Sequence, residues 1–446
     1  MRLPVRISEY TFQQIINRVV RNRQGSTPLL LLESQLDGHP ASRKSILALS
    51  PLQTIEAYRD RITISEGKKS RTFRENPWQA LAELRREHPG WYAGYLGYDL
   101  KNYTETLQSQ NSDPVGAPDL FFFRPGELLV MDHSSGMLST PTGTGPELAA
   151  LLSECINESN PEVEEEIPAP IRLHSFASTT PGEEYIAKIR HAQHRIREGE
   201  FYEINLSHLL QGQFSGESFD LYQRMREQGP VPFGAYMKWR RWRVCSASPE
   251  RFLCREGTRL FSQPIKGTAP RMIDPEQDRR VREALLNSEK ERAENLMIVD
   301  LVRHDLSKVA LPGTIRVPEL FSLHQFETVH QLISTVEGRV DPEQDPVEIL
   351  QACFPMGSMT GAPKIRAMQV IEELEEYRRG IYSGAIGYLA PSGDFDFNVV
   401  IRTAILNGDR LFYPVGGAIT SDSDPQDELE ETWVKVRALT RALHSV

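Results

Sequence analysis

The sequence predicts an α+β fold built mainly on antiparallel sheet, and three observations support this. Short runs rich in Leu, Ile, Val and Tyr alternate with Gly, Pro, Asp and Asn in the first third of the chain, which is typical of antiparallel strands. Longer stretches with helical periodicity follow later in the chain. The 446 residues, 39% of them hydrophobic, are enough to bury a substantial core.

The first third contains six predicted strands and one helix. Asn76 and Pro77 are a typical N-cap and first helical residue for a helix that ends near Glu87, before Pro89-Gly90. Pro125-Gly126 predicts a turn that divides the last strand region into two. The predicted strands span residues 29–32, 45–48, 55–58, 61–64, 91–98 and 120–131.

An acidic, proline-rich segment follows, with the sequence N-E-S-N-P-E-V-E-E-E-I-P-A-P at residues 157–170. Such a composition buries too little apolar surface to order itself, so we predict an exposed connection. The predicted organisation is an N-terminal region at 1–158, a linker at 159–170 and a second region at 171–446.

The second region combines several helices with apolar strands. Thr180-Pro181-Gly182-Glu183 is a predicted capping box that opens a helix to about Glu198, which Gly199 ends. Further helices are predicted at 219–227, 278–305, 363–376 and from Asp424-Pro425 onward. Further strands are predicted at 201–210, 382–388, 399–404 and 413–420.

Composition argues against several classes of protein. The net charge of −10 and the absence of a Lys/Arg cluster disfavour nucleic acid as a partner. No uncharged apolar run is long enough to span a bilayer, and the first ten residues do not resemble a signal peptide, so we expect a cytoplasmic protein with no membrane partner. The four cysteines have no C-x-x-C spacing, which predicts buried free thiols.

The candidate catalytic residues lie on a predicted hairpin between Cys245 and Arg271, turned at Glu256-Gly257. A hairpin here brings Glu250 and Lys266 towards one another. One interpretation is a surface salt bridge of the common kind. The other is a partly desolvated lysine, held between an apolar wall and a tight turn, whose lowered pKa makes it a nucleophile.

Two pairs of glutamates have a spacing that suits a hard cation. Glu291 and Glu294 are i and i+3 on one predicted helix, and Glu428 and Glu431 have the same spacing on the last one. Each pair alone is typical of a solvated helix face. Two such pairs are also consistent with Mg²⁺, which prefers oxygen ligands and keeps waters and substrate oxygens in its shell.

Two further features indicate an anionic ligand. Arg402 lies in the apolar run Val-Val-Ile-Arg, so its charge must meet either a protein carboxylate or a ligand, and a planar guanidinium matches a carboxylate bidentately. The segment F-P-M-G-S-M-T-G-A-P-K, residues 354–364, feeds a helix N-terminus whose exposed N–H groups suit an anion.

Several motifs resemble one enzyme family. S-P-E-R-F and P-I-K-G-T at residues 248–268, K-E-R-A-E-N-L-M from Lys290 and D-E-L-E-E-T from Asp427 are similar to segments of the chorismate-using enzymes. This family includes anthranilate synthase component I, isochorismate and salicylate synthases, and aminodeoxychorismate synthase component I. The residue between P-I and G-T is usually alanine in anthranilate synthases and lysine in aminodeoxychorismate synthases. Lys266 resembles the latter.

The resemblance implies a large β-sandwich of mainly antiparallel sheets flanked by helices, and it implies roles for individual residues. Glu250 is implied as the general acid and Lys266 as the nucleophile. The implied Mg²⁺ ligands are Glu294 and Glu431, with Glu291 and Glu428 acting directly or through water. The implied chorismate contacts are Gln331, Ser358, Thr360, Tyr382, Arg402, Gly416 and Gly417.

The sequence departs from the family pattern at two places. Gln331 stands where many members have a histidine, and His330 precedes it; adjacent strand residues face opposite sides, so His330 does not simply substitute. Glu203 stands where glutamine is typical, which puts any amide-specific contact there in doubt.

Glu33 and Ser34 resemble part of a tryptophan regulatory site, although a strand end with a capping serine explains them as well.

The activity implied by the resemblance is conversion of chorismate and ammonia to 4-amino-4-deoxychorismate. No glutaminase nucleophile motif is recognisable, so the ammonia is expected from a separate glutamine amidotransferase subunit. Two alternatives remain: anthranilate synthesis in the same pocket, and a non-catalytic subunit that binds chorismate or tryptophan.

Overall fold

A computed structural model describes residues 4–23, 25, 27–36, 43–157, 170–326 and 329–444. Within these residues, helices lie on the outside of one connected network of strands. The ten α-helices are α1 Glu9–Asn22, α2 Pro77–Glu87, α3 Pro146–Asn157, α4 Gly182–Arg197, α5 Ser218–Gln228, α6 Pro275–Asn287, α7 Glu289–Ser307, α8 Pro346–Cys353, α9 Lys364–Leu374 and α10 Pro425–His444.

The strands among the described residues are numbered in chain order. They are β1 Val5–Arg6, β2 Leu29–Glu33, β3 Lys44–Tyr58, β4 Arg61–Glu66, β5 Lys69–Arg74, β6 Tyr92–Leu96, β7 Leu120–Asp132, β8 Met137–Ser139, β9 Arg172–Ser178, β10 Glu203–Ser215, β11 Phe233–Trp239, β12 Trp242–Ser248, β13 Arg251–Glu256, β14 Arg259–Gln263, β15 Ile265–Pro270, β16 Arg316–Gln325, β17 Val329–Arg339, β18 Gly361–Ala362, β19 Ala385–Leu389, β20 Phe395–Asn398, β21 Thr403–Asn407 and β22 Arg410–Ile419.

The ladders between these strands are antiparallel, which confirms the predicted α+β class with a large antiparallel sheet. Strands from both ends of the chain pair directly: β2 pairs with β11, and β6 pairs with β19. The predicted linker lies outside the described residues except for Pro170, so the domain boundaries stay predictions. No helix in the described part of the chain is long and apolar enough to cross a membrane.

The core consists of apolar clusters on both faces of the strand network. One cluster lies between strand layers and stacks Phe121 of β7 on Trp239 of β11, with ring centroids 5.0 Å apart. A second cluster packs α2, α7 and α8 on the strands, and a third packs α1, α5 and α10. The helices that carry the four glutamates are therefore held on the sheet by burial of their apolar faces.

The predicted turn at Pro125-Gly126 is wrong, because β7 runs straight through it. Pro125 lies opposite Pro51 of β3, beside a bulge in that strand, so neither missing N–H removes a bond from a regular ladder. Gly126 is needed there for a different reason: a Cβ at this position would lie 2.8 Å from the Ser50 carbonyl oxygen. β3 is likewise one strand where two were predicted.

The long helix predicted at 278–305 is two helices, α6 and α7. Ser288 lies between them in an extended conformation and accepts a hydrogen bond from the Glu291 N–H. Serine competes well at such an N-cap, so the chain restarts rather than continues. The capping box at Thr180 is also wrong: α4 begins at Gly182 after Pro181, because the Thr180 N–H donates to Ser178 instead. The N-caps predicted at Asn76 and Asp424 are confirmed.

Two predicted strands near the C-terminus differ in their bounds. β19 begins at Ala385, so Tyr382 lies in the turn before it, and residues 399–402 form an irregular link between β20 and β21. Arg402 has φ +50° and Ser383 has φ +60°, a region that residues other than glycine seldom adopt. Such strain is concentrated at functional sites.

Candidate active site

The predicted hairpin is present, and it places Glu250 and Lys266 in one buried region. β13 and β14 pair around the turn at Gly257, whose φ is +59°, and β15 continues from β14. Glu250 immediately precedes β13 and is 7% exposed. Its backbone carbonyl accepts from the Val399 N–H, which ties the acid to the link that carries Arg402.

The ion pairs of Lys266 differ from both interpretations of the hairpin. Its Nζ donates to Glu203 Oε1 at 2.9 Å and lies 3.9 Å from Glu294 Oε2. Burial alone lowers the pKa of the Lys266 ammonium, but the carboxylates of Glu203 and Glu294 outweigh burial and hold the pKa above its ordinary value. The predicted lowered pKa is therefore wrong for this arrangement of side chains, and a surface salt bridge with Glu250 is not formed either.

Glu250 has the electrostatic character expected of a general acid. Burial raises the pKa of its carboxyl to about 7, against opposing effects of the Ser358 hydroxyl and of the charges on Lys266 and Arg402. The group therefore holds a proton near neutrality and can give it up. A cavity with an empty volume of about 330 Å³ is lined by both Glu250 and Ser358.

The two glutamate pairs come from α7 and α10, and Lys290 lies between them. Its ammonium is 4.0 Å from Glu294 and 3.9 Å from Glu428, so carboxylates from both helices reach the same point. Glu431 pairs with Lys435 at 2.8 Å. Burial raises the pKa of Glu294 to about 7, and the nearby carboxylates of Glu203 and Glu291 add to this effect.

These residues suit a hard cation only in part. Among the described residues, no three acidic or other metal-binding side chains come together as a closed metal cage. The carboxylates instead face the ammonium groups of Lys290, Lys435 and Lys266, which balance their charge. The donor set is nevertheless one of oxygens from two helices, and Mg²⁺ is commonly held by one or two carboxylates with substrate oxygens and water.

Gly416 and Gly417 lie on β22 beside these glutamates. A Cβ on Gly417 would lie 3.1 Å from Glu428 Oε2, and the Gly416 carbonyl accepts from Lys435 Nζ at 2.8 Å. β10 pairs with one edge of β22 over its whole length, whereas β21 pairs with the other edge only as far as Phe412. Within the described residues, the ladder on the second edge therefore ends before the glycines, where Lys435 takes the Gly416 carbonyl instead.

Ser358 and Thr360 lie in a short 3₁₀ turn after Met356. The Thr360 hydroxyl donates within this turn, to the carbonyls of Met356 or Gly357, and its carbonyl accepts from the Asn205 N–H. Thr360 thus holds the loop against β10, and Ser358 is the hydroxyl left beside Glu250. The predicted helix begins after this loop as α9, and it ends at Leu374.

A buried ion pair fixes the segments around this loop. Arg379 and Glu375 bond to each other at 2.6 and 2.9 Å, and both are less than 5% exposed. Arg379 also donates to the carbonyls of Met359 and Asn205, while Glu375 accepts from the N–H and hydroxyl of Ser207. One pair therefore joins β10, the Ser358 loop and the turn that carries Tyr382.

Arg402 carries a buried charge at the end of the irregular link before β21. Within the described residues, its guanidinium makes no ion pair with a protein carboxylate, although burial lowers its pKa. Of the two partners considered for this arginine, the structure supplies no protein one, which favours a ligand. Burial raises the pKa of the Tyr382 hydroxyl to about 12, so this group stays a neutral hydrogen-bond donor.

Gln331 and His330 face opposite sides of β17, as predicted. The His330 ring bonds to Asp278 of α6 at 2.8 Å and is fully buried. Gln331 lies opposite Thr268, two residues after Lys266, and its amide donates to the Thr268 hydroxyl at 3.4 Å. Gln331 is therefore the member of the pair that lies beside the segment of β15 carrying Lys266.

Glu33 and Ser34 border a separate cavity with an empty volume of about 780 Å³. The Glu33 carboxylate already accepts hydrogen bonds from Gln13, Gln35 and Tyr222. The Ser34 hydroxyl donates to backbone carbonyls of neighbouring segments. Both side chains are thus used by the fold, and a tryptophan site here stays a prediction.

Sequence reasoning missed three residues of the site. Glu203 is evident in the sequence only as a departure from the family pattern, and its contact with Lys266 depends on the pairing of β10 with β18 around Gly361. Lys290 and Arg379 are not among the predicted site residues. A signal for Arg379 is present, since two consecutive arginines precede the apolar run Gly-Ile-Tyr and must find buried partners.

Comparison with known proteins agrees with this geometry. The chorismate binding enzyme family matches residues 28–441, and the chain belongs to this family. Aminodeoxychorismate synthase component 1 of Escherichia coli is 33% identical over 430 residues, which cover 93% of this chain and 93% of that protein.

Relatives that are named as anthranilate synthases are also similar to this chain. Anthranilate synthase component 1 of Thermus thermophilus is 37% identical over 429 residues, covering 93% of this chain and 91% of that protein. The crystal structure of anthranilate synthase component I from Streptococcus pneumoniae has a TM-score of 0.77 at 29% identity, covering 91% of this chain and 93% of that one. The choice between the two reactions therefore depends on the residues of the site.

Proposed function

We propose that this chorismate-binding enzyme converts chorismate and ammonia to 4-amino-4-deoxychorismate, the activity of an aminodeoxychorismate synthase component I. The observation that carries the proposal is Lys266, an amine whose side chain is only 14% exposed and whose charge acts on the acid Glu250. An amine at this position can add to the substrate, whereas the alanine that is usual in anthranilate synthases cannot.

Each group has a role in the proposed reaction. Arg402 and Tyr382 hold the enolpyruvyl carboxylate, and backbone N–H groups near Gly416 and Gly417 meet the ring carboxylate. Ser358 and Gln331 contact the ring side of the substrate. Thr360 acts by holding the Ser358 loop in place, as its hydroxyl bonds within that loop.

The chemistry then needs an acid and a nucleophile. Glu250 protonates the C4 hydroxyl, which leaves as water while the neutral Lys266 amine forms a bond at C2. Ammonia next forms a bond at C4, and the C2–Nζ bond breaks to release Lys266. Because the pKa of Lys266 lies above its ordinary value beside Glu203 and Glu294, the lysine has to lose a proton before it adds.

Mg²⁺ is part of the proposal. Glu294 and Glu431 are the proposed ligands, with Glu291 and Glu428 acting directly or through water, and the exposed Lys290 ammonium has to move away from Glu294 and Glu428. A bound Mg²⁺ supplies positive charge that neutralises and orients the ring carboxylate.

We also propose a separate glutamine amidotransferase subunit as the source of ammonia. All four cysteines are buried, and burial raises the pKa of the Cys353 thiol to about 12 and those of Cys245 and Cys254 still further. None of these thiols is suited to act as a glutaminase nucleophile. Because this product is the precursor of 4-aminobenzoate, we propose a role in folate biosynthesis and a cytoplasmic location.

The test is a product analysis with the purified chain, chorismate, Mg²⁺ and an ammonium salt. The proposal predicts a product with the mass of 4-amino-4-deoxychorismate that retains the enolpyruvyl group. Fluorescent anthranilate with release of pyruvate would instead support the anthranilate synthase alternative. Chorismate binding without turnover would support a non-catalytic subunit.

A further inference from the structure

β10 places two buried oxygen atoms without hydrogen-bond partners on one side of the site. Within the described residues, Glu203 Oε2 and Asn205 Oδ1 have no donor, although Glu203 is 1% exposed and Asn205 8% exposed. Residues two apart on a strand share a face, so both side chains leave β10 in the same direction. Both side chains extend towards Lys266, whose ammonium donates to Glu203 Oε1, the other oxygen of that carboxylate.

Unpartnered buried acceptors are costly, and an unpartnered oxygen on a buried carboxylate is more so. The backbone of Asn205 is fully used, since its N–H donates to Thr360 and its carbonyl accepts from Arg379. The side-chain oxygens are therefore not needed to hold the strand. These two oxygens are hydrogen-bond acceptors, and the ligand that suits them is a small molecule rich in N–H donors.

We propose that Glu203 and Asn205 bind the nitrogen nucleophile, ammonia or ammonium, beside Lys266; this rests on the proposed function. The nucleophilic nitrogen has one lone pair, which must point at the ring carbon that it attacks, so its N–H bonds point elsewhere and need acceptors. The Glu203 carboxylate also attracts an ammonium ion, which a glutamine at this position would not do, and the ion becomes the nucleophile once it has lost one proton to solvent.

The proposed position of the nitrogen beside Lys266 fits the two ring carbons at which bonds form in the proposed reaction. Lys266 adds at C2 and the nitrogen attacks C4, and these carbons stand in a 1,3 relationship on the ring. The two oxygens of one carboxylate are separated by a similar span. Glu203 can therefore hold the Lys266 amine with Oε1 and the incoming nitrogen with Oε2, each next to its own carbon.

A water molecule and the C4 hydroxyl of the substrate are the other donors for this place. Both are neutral, unlike an ammonium ion, and the hydroxyl has only one hydrogen to donate to two acceptors. The buried negative charge of Glu203, shared with one ammonium group already, favours a second nitrogen with several hydrogens.

The first experiment measures ammonium dependence at saturating chorismate in the wild type, Glu203→Gln and Asn205→Asp, both close in shape to the native residue. Loss of the carboxylate acceptor should raise the ammonium KM of Glu203→Gln about tenfold, with a smaller change in the chorismate KM. Asn205→Asp should keep the ammonium KM at or below the wild-type value. Glu127→Gln, a buried carboxylate paired with Arg23 away from the site, is the matched control.

A second experiment does not depend on turnover. Ammonium chloride should raise the melting temperature of the wild type above its value in sodium chloride at the same ionic strength, and this difference should vanish in Glu203→Gln but persist in Glu127→Gln. An equal ammonium effect in all variants, or no ammonium effect in the wild type, overturns the inference. A wild type that responds to ammonium in the melt but makes no aminated product would refute the proposed function alone.

Discussion

Glu294 on α7 and Glu428 on α10 both lie within 4.0 Å of the same ammonium group, that of Lys290. The two residues are far apart in the sequence, so the fold alone brings their carboxylates to a common point. A lysine there balances the two negative charges, and a divalent cation can take over the same task with a stronger charge.

The first prediction concerns this point. Replacing Glu294 or Glu431 by glutamine removes a charged oxygen ligand with little change of shape, so the Mg²⁺ concentration for half-maximal activity should rise about tenfold or more. Titration of activity with Mg²⁺ measures this. The control is Glu430→Gln, which changes an exposed glutamate on α10 beside Glu431 and should behave as the wild type. An unaltered Mg²⁺ dependence in both variants would refute the metal site.

The second prediction concerns Glu250 and pH. Its carboxyl pKa is about 7 in the fold and near 4.5 when exposed, so the native state binds the extra proton between these values and stability falls as pH rises through this window. Glu250→Gln has no charge to bury. It should therefore be more stable than the wild type at pH 8, by about 3 kcal/mol at most, and the difference should shrink towards pH 5.

Denaturant unfolding of both proteins at pH 5 and pH 8 measures the difference. A gap that is equal at the two pH values would show that burial does not raise the pKa of Glu250. The same variant should lose most of its activity, because an amide is far too weak an acid to protonate the leaving hydroxyl.

The third prediction concerns Arg402, whose guanidinium has no carboxylate partner within the described residues. Arg402→Met keeps the length of the side chain without its charge, so the fold should not lose stability, whereas the chorismate KM should rise about 100-fold or more. Steady-state kinetics and a melting curve measure both. Strong destabilisation with an unchanged chorismate KM would show that Arg402 has a structural role instead.

The fourth prediction concerns the source of nitrogen. The isolated chain should turn over with ammonium salts at alkaline pH, where free ammonia is abundant, and not with glutamine, because its thiols are buried and their pKa values are raised. Addition of a glutamine amidotransferase subunit should confer activity with glutamine. Product formed from glutamine by the chain alone would reveal a glutaminase nucleophile other than these thiols.

Local patterns predicted much of the fold. The hairpin around Gly257, the cap at Asn76 and the last helix from Pro425 depend on neighbouring residues, and all are present. The break at Ser288 and the straight passage of β7 through Pro125 were missed. The passage of β7 depends on pairing with the distant strand β3. The break at Ser288 depends on a cap that competes with an otherwise continuous helical pattern.

The site shows the same division. The opposite facing of His330 and Gln331 follows from strand alternation, and this expectation is confirmed. The pKa of Lys266 was predicted in the wrong direction, because two carboxylates reach it from β10 and α7. No spacing in the sequence reveals such a contact between distant elements.

Covalent catalysis by Lys266 is tested most sharply by mass spectrometry of the wild type and of Lys266→Ala during turnover with chorismate, Mg²⁺ and ammonium. We expect a chorismate-derived adduct on the wild-type peptide that contains Lys266, with 4-amino-4-deoxychorismate as the product. In Lys266→Ala the adduct should be absent, most of this product should be lost, and amination at C2 becomes available. Absence of an adduct, together with 4-amino-4-deoxychorismate formed by Lys266→Ala at the wild-type rate, would show that Lys266 is not the nucleophile.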